Sequence, residues 1–101
     1  MNKSLGIFVT SDRHLDKVIN LCKAAKKRGI AVHIFLSHLG TLLTRSPRFG
    51  ELDGLASITL CKVAFKGHGL EMPVPGIEEK ALLTQARNAE LIEGCDRYVI
   101  L

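Results

Sequence analysis

A chain of 101 residues, 47% apolar and 24% charged, holds one domain around one core, with no room for a second. Its net charge of +4 raises nucleic acid as a partner. Its cations, however, either close a helix or lie scattered among ten acids, and aromatics at 5% supply no stacking strip, so the reading is no nucleic acid. No apolar run approaches membrane-spanning length, the N-terminus carries no leader pattern, and three cysteines without CxxC spacing make no disulfide framework, so a reducing, cytoplasmic location without membrane insertion is expected.

Leu5–Thr10 (LGIFVT) is a continuous apolar run of β-formers, the pattern of a strand buried on both faces. Ser11 or Asp12 then offers an N-cap, and Leu15, Val18, Ile19, Cys22 and Ala25 recur at spacings of three and four, so one face of the following helix is apolar. Lys23, Lys26, Lys27 and Arg28 suit the negative end of that helix, and Gly29 stops it. Ile30–Leu36 (IAVHIFL) reads as a second buried strand. Strand, helix and strand within about 30 residues predict a parallel βαβ unit with a right-handed crossover.

Ser37 to Gly54 is less regular: Leu39, Leu42 and Leu43 start a short helix that Ser46-Pro47 limits, and Phe49-Gly50 reads as loop. Ala56–Cys61 is the third strand, and Lys62–Lys66 forms a helix of barely two turns before Gly67-His68-Gly69. Met72-Pro73-Val74-Pro75-Gly76 must be an extended connection. From Ile77 to Glu93 two readings stand: one helix, or a short strand Ala81–Gln85 followed by a helix Ala89–Glu93 capped by Asn88. Arg97–Leu101 (RYVIL) closes the chain as a strand. The fold class is therefore α/β, a three-layer sandwich with a four- or five-stranded mainly parallel sheet of flavodoxin- or Rossmann-like topology.

In such sheets sites form outside the carboxyl ends of the strands, where strand order reverses, and Thr10-Ser11-Asp12-Arg13, Ser37-His38-Leu39-Gly40 and Cys61-Lys62 are expected to converge there. Cys61 is the candidate chemical group. It ends a strand and opens a helix, where N–H groups, the helix dipole and neighbouring Lys62 and Lys66 favour thiolate. Ser11, His38, Gly40 and Lys62 are the expected substrate-binding residues. Cys22, on the apolar helix face, and Cys95, entering the last strand, read as packing residues. The turn after the first strand has no glycine, so a dinucleotide does not fit, and no cofactor is expected. The histidines make no metal site: His33 and His38 would face opposite sides of one strand, and His68 lies seven residues beyond Cys61, which makes direct hydrogen bonding to it unexpected.

The stretch Ile58-Thr59-Leu60-Cys61, leading through Val63-Ala64 to Gly69-Leu70, resembles the DsrE/F-like group of small sulfur-relay proteins. His33-Ile34-Phe35-Leu36 running into Leu39-Gly40 is similar to that family too, as is the ending Asn88 to Leu101. The resemblance implies a single DsrE/F-like domain over 1–101 with five strands, which favours splitting Ala81–Gln85 from Ala89–Glu93. It also implies a persulfide-carrying cysteine at Cys61, protein donors and acceptors of sulfur, and trimers or hexamers. One departure is that the family's basic pair before Gly-Ile/Leu is Gly67-His68 here. The competing expectation is a non-catalytic oligomeric binding or regulatory domain in which Cys61 packs.

Overall fold

The computed structural model describes residues 3–101. Five strands, β1 (Ser4–Val9), β2 (Ala31–Leu36), β3 (Ser57–Cys61), β4 (Leu82–Leu83) and β5 (Arg97–Ile100), form one sheet in the order β4-β3-β2-β1-β5, parallel throughout. The run β3-β2-β1 is that of a Rossmann half, and β5 lies on the free side of β1. Helix α1 (Leu15–Lys27) makes the crossover from β1 to β2, as its apolar spacing predicts, with Val18, Ile19, Cys22 and Ala25 buried. The cap differs. His14 occupies the N-cap position, while Ser11 Oγ accepts a hydrogen bond from Arg13 N at 3.1 Å and so shapes the turn before the helix.

The connection from β2 to β3 contains two 3-10 helices, His38–Arg45 and Phe49–Leu52, instead of a short α-helix and a loop. Leu43, Phe49 and Leu52 join the core on the α1 side of the sheet, beside Ile7, Val9, Ile34, Leu36 and Leu60. Arg48 clamps this connection to α1: it pairs with Asp16 and with Glu51 (2.6 Å), and the pairing holds the Glu51 carboxyl below its ordinary range.

The segment after Pro75 resolves the two readings of Ile77–Glu93 in favour of a strand and a helix. Their bounds differ from the expected ones. A 3-10 turn Glu79–Ala81 leads into the two-residue β4, and the helix α3 spans Gln85–Glu93. Thr84 is its N-cap, its hydroxyl accepting from Arg87 N at 3.1 Å. Asn88 is no cap at all. It is fully buried in the middle of α3, where Nδ2 donates to Leu60 O (3.1 Å) and Thr84 O (3.0 Å) and Oδ1 accepts from Thr59 Oγ1. Helical periodicity could not distinguish a capping Asn from a buried one.

Helix α3 packs against the second face of the sheet, with Ala64 beside it. Phe8 and Phe35 stack there with centroids 4.9 Å apart, and Phe35 packs with Cys61 and Ile92. A nine-residue helix spans only about 14 Å, so it cannot reach the whole face. Every residue of β5 is exposed, Tyr98 and Ile100 more so than Val99. No helix among the described residues is long and apolar enough to cross a membrane.

Candidate functional site

Strand β3 delivers Cys61 to the carboxyl edge of the sheet, and helix α2 (Lys62–Gly67) begins at the next residue. Side chains alternate along β3, so Thr59 and Cys61 share the face covered by α3. The bond of Asn88 to Leu60 O holds the backbone just ahead of the thiol. Cys61 occupies the N-cap position of α2, but no side-chain cap hydrogen bond forms there. The expected donation from first-turn N–H groups to the sulfur is therefore not made. Cys61 is 6% exposed.

Above it lies an open cleft of about 380 Å³, walled by Ser37, His38, Cys61, Ala64, His68 and Gln85, with Leu39 and Val63 at its exposed rim. The cleft thus unites the end of β2, the start of α2, the turn after α2 and the N-terminus of α3. Ser37, almost fully buried, donates from Oγ to Gln85 Oε1 at 3.1 Å and ties β2 to α3. His38 is held at φ +50, in the left-handed region that histidine enters more readily than bulky residues do. Its ring is exposed.

Of the residues expected around Cys61, His38 is brought to it. Ser11, Gly40 and Lys62 do not line this cleft. The reason is topological. In the order β4-β3-β2-β1-β5 the reversal falls between β1 and β5, so the Ser11 turn is separated from Cys61 by β2. Gly40 is needed for close packing instead: a Cβ there would stand 2.2 Å from Val9 O. Lys62, the first residue of α2, is exposed to solvent outside the cleft.

His68 comes closer to Cys61 than its sequence distance suggests. The short α2 ends at Gly67, Gly69 turns the chain back at φ +72, and the imidazole lines the same cleft as the thiol. Its Nδ1 lies 3.2 Å from Thr41 Oγ1, and its carbonyl accepts from Arg45 Nη2 at 3.4 Å. The glycines flanking His68 mark this return. Ser37 lies in a segment expected at this edge, whereas Thr41 and Gln85 carry no comparable signal, because their roles depend on where the 3-10 helix and α3 dock.

Cys22 is buried against α1's apolar neighbours, and burial pushes its thiol up to about 11, so it is inert near neutral pH. Cys95 donates from Sγ to Leu91 O at 3.5 Å. His33 sits on the α3 face of β2, with Ser57 Oγ at 2.9 Å and Thr59 Oγ1 at 3.0 Å from its two ring nitrogens; burial lowers its pKa. Among the described residues no group of three or more His, Cys, Asp or Glu side chains is placed to hold a metal ion.

Compared with family models, curated proteins and solved structures, the chain finds no match. The site is therefore read from its own chemistry.

Proposed function

We propose that this chain is a small sulfur-handling protein of the reducing cytoplasm, in which Cys61 carries sulfur from a donor persulfide to an acceptor thiol. The observation that carries this reading is the placement of Cys61 at the base of an open cleft beside two histidines. The resemblance of Ile58–Leu70 to DsrE/F-like proteins points the same way. In the step envisaged, the Cys61 thiolate attacks the terminal sulfur of R–S–SH. The Cys61 S–S bond forms, the donor's S–S bond breaks, and R–S⁻ leaves and takes up a proton; there is no net oxidation. The reverse sequence at an acceptor thiolate discharges the carrier. The donor and acceptor would be proteins, with the apolar rim of Leu39 and Val63 available to them.

The test is intact-mass analysis after incubation with a cysteine desulfurase and cysteine. Wild type should gain a sulfur atom and Cys61→Ser should not. A wild-type chain that never gains one, or a Cys61→Ser chain that still does, ends the proposal.

A second reading rests on a different observation. Cys61 is largely enclosed by Phe35 and Ile92, and β5 leaves Tyr98, Val99 and Ile100 exposed, which suits a non-catalytic domain that assembles with copies of itself as a trimer or hexamer. Alkylation of Cys61 no faster than a free thiol below neutral pH favours this alternative; fast alkylation there favours sulfur transfer.

A further inference from the structure

Thr41 is fully buried in the 3-10 helix His38–Arg45, with its hydroxyl between two partners: His38 O at 2.9 Å and His68 Nδ1 at 3.2 Å. A hydroxyl has one hydrogen. The carbonyl of His38 can only accept, so that hydrogen goes to it, and the shorter distance agrees. Toward His68 the Thr41 oxygen has only lone pairs left. Nδ1 must then be the protonated nitrogen of the neutral ring, and Nε2 carries the free lone pair. Every buried side-chain nitrogen or oxygen among the described residues has a hydrogen-bond partner, whereas Nε2 of His68 has none, so Nε2 is reached by solvent. The ring lines the same cleft as Cys61.

We propose that Thr41 is a positioning residue that fixes His68 as the Nδ1–H tautomer, making Nε2 the proton acceptor and donor of the Cys61 cleft. The tautomer follows from the Thr41 geometry alone; its chemical consequence rests on the sulfur-carrier reading of Cys61. Nε2 takes the proton of the Cys61 thiol as the thiolate forms. When the S–S bond of the donor persulfide breaks, the imidazolium returns that proton to the departing R–S⁻. Protons and electrons balance, and no oxidant or reductant is needed. Neutral imidazole in water favours the opposite, Nε2–H, form, so the left-handed turn at His38 matters: it sets the carbonyl that consumes the Thr41 hydrogen. The charged and titratable groups around His68 are Arg45, bonded to its carbonyl, Lys66 in the preceding turn of α2, and Cys61 and His38 across the cleft.

The experiment has two arms on the full chain. In the first, ¹⁵N-histidine-labelled protein is examined by long-range nitrogen–proton correlation at alkaline pH, with His68→Gln used to assign the signal. Wild type and Thr41→Ser should show His68 protonated on Nδ1, and Thr41→Val should show it shifted to Nε2. A wild-type ring protonated on Nε2, or a tautomer unchanged in Thr41→Val, overturns the assignment. In the second arm, the rate of Cys61 alkylation by iodoacetamide is followed against pH, together with sulfur loading. Thr41→Val and His68→Gln should slow both near neutrality by about a hundredfold, with Thr41→Ser restoring most of the rate. Rates equal to wild type in Thr41→Val alongside an altered tautomer overturn the proton-transfer role. If wild type alkylates as expected but never loads sulfur, the carrier reading fails while the tautomer and alkylation results stand.

Discussion

Asn88→Ala tests whether α3 holds the Cys61 edge of the sheet as the structure shows. The amide makes three hydrogen bonds in a fully buried setting: two donated to the carbonyls of Leu60 and Thr84, and one accepted from Thr59. At about 1 kcal/mol net for each, their loss costs about 3 kcal/mol. Alanine returns roughly 0.6 kcal/mol through its better helix propensity. The expected destabilisation is therefore about 2–3 kcal/mol, which in a domain this size lowers Tm by roughly 10–20 °C. Urea unfolding should show a lower midpoint at unchanged slope, since the surface exposed on unfolding is the same. The thiol should respond as well: with Leu60 O released, Cys61 alkylation in the native protein should accelerate while that of Cys22 does not. A loss below about 1 kcal/mol would refute the reasoning, because an amide so readily dispensed with would not be buried between α3 and β3.

Other predictions follow from single contacts. Gly40→Ala forces a Cβ to 2.2 Å from a backbone oxygen that cannot rotate away, and should cost upward of about 3 kcal/mol. Gly6→Ala meets side chains rather than backbone, the flexible end of Ile92 at 3.0 Å and Cys95 Sγ at 3.3 Å, and should cost clearly less; thermal unfolding of the two variants checks the order. Cys22, with its thiol pushed up to about 11, should resist iodoacetamide at pH 8 until the protein unfolds, and peptide mapping reads which cysteine is labelled. Burial lowers the His33 pKa in the folded state, so below about pH 6.5 the unfolded chain binds more protons than the folded one. Stability is full above that pH and should be lost as pH falls toward the folded value, and His33→Gln should flatten that slope in urea titrations at several pH values.

The local order of the chain was written into its residues. The apolar runs around Ile7, Ile34 and Leu60 mark the three central strands, because a parallel sheet covered on both faces admits little else at those positions. The three- and four-residue spacing from Leu15 to Ala25 marks the helix that joins the first two. Cys61 was legible as a strand end because the apolar run stops there and a short basic helix follows. Even the pair of glycines around His68 announced a turn.

What only the tertiary structure decided is which of these ends meet. Strand order depends on which nonlocal edges pair, and no local pattern encodes that β5 returns to the free side of β1 while β4 adds to β3. That choice separates Ser11 from Cys61 and leaves His38 and His68 around it. It also sets a buried Asn88 against β3, where the same residue in the sequence looked like a cap, and turns Gly40 from a presumed binding residue into the point where a 3-10 helix touches β1. Burial of a polar side chain depends on partners distant in the chain, and those partners exist only once the sheet and α3 are docked. Thr41 is the clearest case: its single hydrogen goes to the carbonyl of His38 in the same 3-10 helix, and only the fold brings His68 Nδ1 within reach of the lone pairs that remain.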